Sequence, residues 1–189
     1  MTPQNAVDPT LSLEEVTDPR ILARIYRLRV EAWRTKLDLA ADVTEWRDSF
    51  ESDARHWAFF DGERPVAAAR LTISRTLADV PDAAVYEGIL PAALPGPIAS
   101  LTRLVVHPQY RGRGLARPLD EVRIAAAEAA RCSCVIGATH EPRRVLQLQA
   151  QGFEVFAPRS SYESGIVAGT LPNAIIVLRL PHSSLGSKP

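Results

Sequence analysis

The sequence is short of cysteine, of lysine and of long apolar runs, and each shortage excludes something. Cys132 and Cys134 are the only cysteines in 189 residues. That leaves neither a disulfide framework nor a zinc site with enough ligands, so no metal is expected. With one residue between them on an expected strand, the two thiols point to the same face, and a buried structural role is the default. Lys36 and Lys188 are the only lysines, and arginine supplies the remaining basic charge. Lys+Arg and Asp+Glu each total 22, so no global field draws the chain to nucleic acid or to an anionic membrane surface. No apolar run approaches the roughly 18 residues that a membrane span requires. The stretch Met1 to Pro9 lacks the apolar centre of a secretion signal, and the expected location is cytoplasmic.

What is present is a core. Hydrophobic residues make up 46% of the chain, enough at this length to bury about 70% of the unfolded surface. Residues 1–17 read as a lead-in or tail and 182–189 as a polar tail, with one domain over 18–181. Asp18-Pro19 is a helix start, and Ile21, Leu22, Ile25, Leu28, Ala32 and Trp33 recur at helical spacing over 19–36. A shorter helix is expected over 42–52, around Trp46 and Phe50. His56 to Phe60, the turn pair Asp61-Gly62 and Val66 to Ser74 form a hairpin. Pro81, Pro91, Pro95 and Pro97 make 76–97 a long surface loop.

Ile98 to Val106 is the next strand. Leu115, Leu119, Val122, Ala126 and Ala129 then mark the buried stripe of a helix ending near Ala130, with Arg117, Asp120, Glu121 and Glu128 on its other face. Cys134 to Ala138 is a nearly all-apolar strand suited to the middle of a sheet. Pro142 to Gln151 is helical, with Gly152 as its stop. Phe153 to Phe156 and Ala174 to Leu180 close the chain as strands. The fold class expected is α/β (α+β), a single domain with a mixed central sheet flanked by helices.

Chemistry concentrates at Leu104-Val105-Val106-His107-Pro108-Gln109-Tyr110-Arg111-Gly112-Arg113-Gly114-Leu115-Ala116. A strand ends and a helix starts within a few residues. The first turn of a helix leaves N–H groups unpartnered at the positive end of its dipole. Gly112 and Gly114 carry no Cβ, so a phosphate can approach the backbone there. Arg111 and Arg113 add charge, and no acidic residue occurs from Gly88 to Leu119. No G-K-[ST] follows, so this is not a Walker loop.

Arg111-x-x-Gly114-x-Ala116, after a strand reading Arg103-Leu-Val-Val-His-Pro, resembles the acetyl-CoA motif of the GNAT superfamily of N-acetyltransferases. Gly152-Phe153 after a helix, Leu28-Arg29-x-Glu31, Asp53-x-x-x-Trp57 and Ala69-Arg70-Leu71 extend the resemblance over about residues 20–156. It implies that Leu104, Val105 and Val106 bond the pantetheine of acetyl-CoA through their backbone. It also implies that Arg111, Gly112, Arg113, Gly114, Leu115 and Ala116 hold the pyrophosphate. Where that family often carries an acidic residue, an asparagine and a proton-donating tyrosine, this chain has Ser100, Glu141 and Leu148.

The activity implied is transfer of an acetyl or short acyl group from acyl-CoA to a small-molecule or peptide amine. The partner expected is that amine, with no nucleic acid and no membrane, and with a homodimer allowed. Amine acylation needs a neutral nucleophile, an oriented thioester and an oxyanion donor. His140, after the strand ending near Thr139, is the candidate base, and Tyr162 the candidate acid. Glu141 can instead cap or charge the helix start, and Tyr86 and Glu87 in the long loop and Glu163 beside Tyr162 read mostly as ordinary loop polars. Trp33 and Trp46 read as core anchors, and His107 as structural. Arg29, Asp53, Arg70-Leu71 and Ser100-x-x-Arg103 also resemble N-acyl amino acid and acyl-homoserine-lactone synthases, which take long acyl chains from acyl carrier protein. A third reading is a non-catalytic acyl-CoA-binding sensor.

Overall fold

The computed structural model describes residues 8–34, 39–139, 141–159, 163–164, 167–170 and 173–181. The strands and helices follow in the order β1 (Leu11–Val16), α1 (Pro19–Trp33), β2 (Arg55–Asp61), β3 (Arg64–Ser74), β4 (Ile98–Val106), α2 (Ala116–Ala129), β5 (Cys134–Thr139), α3 (Pro142–Gln149), β6 (Glu154–Arg159), β7 (Glu163–Ser164), β8 (Val167–Thr170) and β9 (Asn173–Arg179). Seven strands form a mixed sheet in the order β1-β2-β3-β4-β5-β9-β6, and β7 pairs with β8. β4 and β5 run parallel, whereas β1–β2, β5–β9 and β6–β9 are antiparallel. The expected α/β class with a mixed central sheet is therefore the one observed.

Two compact units divide the chain. The first holds β1, α1, β2, β3 as far as Arg70, β4 from Arg103, and α2 as far as Val122. α1 starts where the sequence places it: Asp18 accepts from the Arg20 N–H at 2.8 Å, and proline occupies the first turn. Its buried face packs Ile25, Leu28 and Ala32 against Val16, Ala58, Phe60, Ala68 and Val105. Trp46 joins Val30 and Leu39 in a smaller apolar cluster of the same unit.

The second unit runs from Leu71 to Thr102, from Arg123 to Tyr162 and from Thr170 onward. Its core joins Ile98, Cys134, Ile136, Ile175 and Val177 to Leu77, Val80, Val85, Tyr86 and Leu90. β5 is buried because it has a partner on each side, β4 and β9, as its unbroken apolar run requires. α3 packs on β5, β6 and β9. Both cysteines are buried and form no disulfide, and burial pushes the Cys132 thiol up to about 11.

The structure corrects five local expectations. The lead-in contains β1, which pairs with β2 from Leu11↔Asp61 to Val16↔His56. Residues 42–52 form turns and irregular backbone rather than a helix. The Trp46 N–H there bonds to the Tyr26 carbonyl at 3.1 Å, a tertiary contact that replaces an intrahelical one. The proline-rich stretch 76–97 is no simple surface loop, since two short 3-10 turns, Leu77–Asp79 and Ala83–Val85, feed apolar side chains into the second core. Tyr86 is one of these core residues, at 2% exposure, rather than a loop polar. In and just before α2, Leu115, Leu119 and Ala126 are buried as expected, but Asp120 is buried and Ala129 exposed, the reverse of the expectation at those two positions.

Candidate functional site

The strand-loop-helix segment begins with a change in β4. Its ladder with β5 pairs Ile98↔Cys134 through Leu101↔Gly137, yet β4 itself continues to Val106. Two residues past the last rung, Arg103 has φ +53°. A positive φ is uncommon for any residue with a Cβ. A single left-handed residue inside a strand is the backbone signature of a bulge, and Leu104–Val106 follow it directly.

A short 3-10 turn, Pro108–Tyr110, follows, and the His107 Nδ1 caps it by accepting from the Gln109 N–H. The His107 Nε2 lies 2.9 Å from Arg64 Nη2, so this histidine is structural, as expected. Gly112 and Gly114 have φ +80° and +77°, a backbone that side-chain-bearing residues rarely adopt. A Cβ at Gly112 would meet nothing within 4 Å, so the demand there is for the dihedral, and the space beside the loop is open. α2 then begins at Ala116, with the N–H groups of Ala116 and Arg117 in its first turn and that of Leu115 just before it. Pro118, in the same turn, has no N–H to offer.

The loop arginines are partly committed. Arg111 donates to the carbonyls of Ala32 and Val106, which fastens the loop to the end of α1. Arg113 lies 4.7 Å over the Tyr110 ring and 3.6 Å from Asp8. Tyr110 in turn donates to Asp61 at 2.5 Å. The charge is where the sequence places it, but the Arg111 side chain also builds the loop.

Behind the segment, in the same unit, lies an ion network that only part of the sequence reading contained. Arg29 on α1 and Arg70 on β3 are 1% and 0% exposed. Glu51 accepts from Arg29 Nη1 at 2.7 Å and from Arg70 Nη1 at 2.6 Å. Asp48 accepts from Arg70 Nη1 and from Arg103 Nη2, each at 2.6 Å. The Trp46 carbonyl takes a second Arg29 bond at 3.0 Å, and the Arg103 guanidinium stands 5.1 Å over the Trp46 ring. Burial alone would raise the Asp48 carboxyl, but the hydrogen bonds and charges of Arg70 and Arg103 win and hold it well below the usual range. His56, 1% exposed, lies 3.4 Å from Glu51; burial first, then the Arg29 charge, push its imidazole down to about 4, so it is neutral.

The acidic partners are therefore Asp48 and Glu51, whereas Asp53 is exposed and outside the network. Sequence reasoning named Arg29, Arg70 and Arg103 but missed both carboxylates. The available signal was charge arithmetic, because wholly buried arginines require acidic partners.

In the second unit Ser100 is fully buried, and its Oγ has no hydrogen-bond partner among the described residues. Leu148 on α3 is 1% exposed and hydrocarbon only. Glu141 stands at the N-cap of α3. His140 and Tyr162, the candidate base and acid, lie outside the described residues. Among the described residues no cluster of His, Cys, Asp and Glu is placed to hold a metal ion. No helix there is long and apolar enough to cross a membrane.

The acetyltransferase (GNAT) family profile matches residues 22–153, most of the chain. The chain belongs to the GNAT family. Solved structures share its fold at low identity. The N-acyl amino acid synthase FeeM from uncultured soil microbes is 14% identical, with a TM-score of 0.67 over 90% of this chain and 91% of its own. The CoA-dependent acyl-homoserine lactone synthase BjaI, solved with SAM and isopentyl-CoA, is 18% identical, with a TM-score of 0.63 over 92% of this chain and 86% of its own. A Bacillus subtilis acetyltransferase in complex with CoA is 12% identical, with a TM-score of 0.56 over 90% of this chain and 99% of its own. Comparison with curated protein sequences returned no match. The GNAT fold and family support acyl transfer as the general activity.

Proposed function

We propose that this GNAT protein transfers an acetyl or short acyl group from acyl-CoA to a small-molecule or peptide amine. The observation that carries the reading is the run from left-handed Arg103 to the first turn of α2, with left-handed Gly112 and Gly114 and open space at Gly112. In this reading Leu104, Val105 and Val106 meet the pantetheine arm through backbone N–H and C=O groups. The backbone of Arg111 to Ala116 holds the pyrophosphate, helped by the helix dipole and by the Arg113 charge. The acceptor nitrogen attacks the thioester carbon, and the oxyanion formed takes a hydrogen bond from a strand N–H. The C–S bond then breaks, and the thiolate leaves with the electron pair. His140 is proposed to accept the amine proton and Tyr162 to supply one to the sulfur.

The supporting experiment is a thermal melt with CoA. At ligand near 100 times its dissociation constant, stabilisation is about 2.7 kcal/mol. Gly114→Ala, strained at φ +77°, weakens it. Gly114→Glu removes it, because a carboxylate then stands where the phosphate would. A wild-type melt indifferent to both CoA and acetyl-CoA refutes the reading.

One observation favours a second reading, an N-acyl amino acid synthase-like enzyme charged by long-chain acyl carrier protein. Arg29, Arg70 and Arg103, which carry that resemblance, belong to one ion network. The donor decides. A panel of acetyl-CoA, longer acyl-CoA and acyl carrier protein thioesters, scored by thiol release with many amines, is expected to favour the short acyl-CoA. Faster turnover of long-chain acyl carrier protein reverses the ranking. No turnover with any amine, alongside CoA binding, leaves the sensor reading.

A further inference from the structure

Arg103 is the residue of β4 whose backbone is left-handed. The other described non-glycine residues with positive φ, Asp82 and Arg131, lie outside strands. An L-residue persists in that region only when its surroundings over-determine it. Here the anchor is visible. Asp48 holds the Arg103 guanidinium at 2.6 Å, and Trp46 covers it. Asp48 is itself fixed at 2.6 Å by Arg70, which is wholly buried and shares Glu51 with Arg29. Segment 46–51 is thus bolted to α1 and β3, and through Asp48 it grips the left-handed residue of β4.

We infer that Asp48 is a positioning residue: by anchoring the Arg103 side chain it keeps residue 103 left-handed and so aims the backbone of Leu104–Val106. The inference deepens the acyl-CoA reading, since that backbone is the stretch assigned there to pantetheine. The carboxylate touches no reacting atom in this scheme. It sets the direction of groups that do.

A role in stability alone and a role in positioning separate in a glycine–alanine comparison. Asp48→Ala frees the arginine. The double variants Asp48→Ala/Arg103→Gly and Asp48→Ala/Arg103→Ala each remove one negative and one positive charge, so both keep the network's balance. Only glycine then adopts a positive φ without an anchor. Two readouts are taken: amide hydrogen exchange of the 104–106 segment in the ligand-free protein, and the dissociation constant for CoA by calorimetry.

Asp48→Ala is expected to speed exchange at Leu104–Val106 and to weaken CoA. The glycine double recovers, and the alanine double does not. The expected ratio between the doubles is about threefold or more. The left-handed penalty of ~1–2 kcal/mol corresponds to a factor of about 5–30, and glycine's own flexibility takes back part of it. Should Asp48→Ala fail to fold, the same pair is read in Asp48→Asn, which keeps the volume and one acceptor. Equal behaviour of the two doubles overturns the inference, as does unchanged exchange in a folded Asp48→Ala. If wild type binds no CoA, the acyl-CoA reading fails while the exchange comparison still decides the role of Asp48.

Discussion

His56 makes the stability of this protein depend on pH in a window set by one side chain. The imidazole is 1% exposed, neither ring nitrogen has a hydrogen-bond partner among the described residues, and Tyr26 packs edge-on at 6.4 Å. Burial and the Arg29 charge bring its pKa from 6.5 to about 4 in the folded state. Above pH 6.5 neither state holds the proton, and the group is neutral to stability. As pH falls below 6.5 the unfolded chain gains a proton that the folded chain refuses until about pH 4. Stability is therefore lost through that interval and levels off beneath it. At 1.36 kcal/mol per pH unit the full loss is about 3 kcal/mol, of which about 2.5 is reached by pH 4.5. For a chain of this length that is a fall in Tm of roughly 5–10 °C. The assay is a series of thermal melts from pH 8 to pH 4.5 on wild type and His56→Phe. Phenylalanine keeps the ring and has nothing to protonate. His107, whose pKa is also lowered by burial and by Arg64, contributes equally to both proteins and cancels. The variant is expected to lose the larger part of the slope and to be the more stable protein at pH 4.5. Parallel curves for the two proteins would refute the buried, neutral His56.

The remaining predictions concern the network and the chemistry. Glu51→Ala leaves two wholly buried guanidiniums without their shared carboxylate and is expected to cost about 3–5 kcal/mol. Glu15→Ala, which breaks the exposed Arg55 pair, costs less than about 1 kcal/mol, so equal urea midpoints for the two variants would contradict the burial. His140→Ala is expected to lower kcat/KM and to remove a pH limb between about 6 and 7 without changing CoA affinity. An unaltered profile assigns the histidine no part in the proton transfer.

What the sequence made legible was what is local. The strand at Ile98–Val106 and the helix after Gly114 follow from apolar periodicity and two glycines, signals contained in about thirty consecutive residues, and the structure places them within a residue of the expected ends. Trp46 and Phe50, four apart, imitate a helical stripe. That segment is instead spent on partners from 17 to 55 residues away, the separations of the Arg29–Trp46 and Arg103–Asp48 bonds. No window of neighbouring residues contains such a pairing. The same gap explains the choice of Asp53 over Asp48 and Glu51. Leu77, Val80, Val85, Tyr86 and Leu90 escaped for another reason: proline breaks the backbone into short turns, so the apolar residues reach the core without a regular period.

The absence of an acid at position 148 shifts the burden of catalysis more than it threatens it. Leu148 is buried hydrocarbon and gives no proton, but the departing group is a thiol. If its pKa resembles that of cysteine, about 8.5, a thiolate leaves near neutral pH with little assistance. The missing acid then forfeits only part of the roughly 100- to 10,000-fold that such groups supply. Orientation of the thioester and of the oxyanion donor has no comparable substitute, because effective molarity falls steeply when reacting atoms are misplaced by an ångström. In the proposed site that orientation descends from left-handed Arg103. A buried ion network of this kind is seldom worth its desolvation in stability alone, and hydrophobic replacement is often neutral or better. Aiming a strand is a reason to keep it. The expectation that follows is a split. Replacing Leu148 with tyrosine raises kcat only a few-fold, whereas Asp48→Ala lowers kcat/KM by more than it lowers the melting temperature would suggest. Competition between the two effects is read by comparing Asp48→Ala with Glu15→Ala at matched fractions folded. Equal activity per folded molecule would leave the network a matter of stability only.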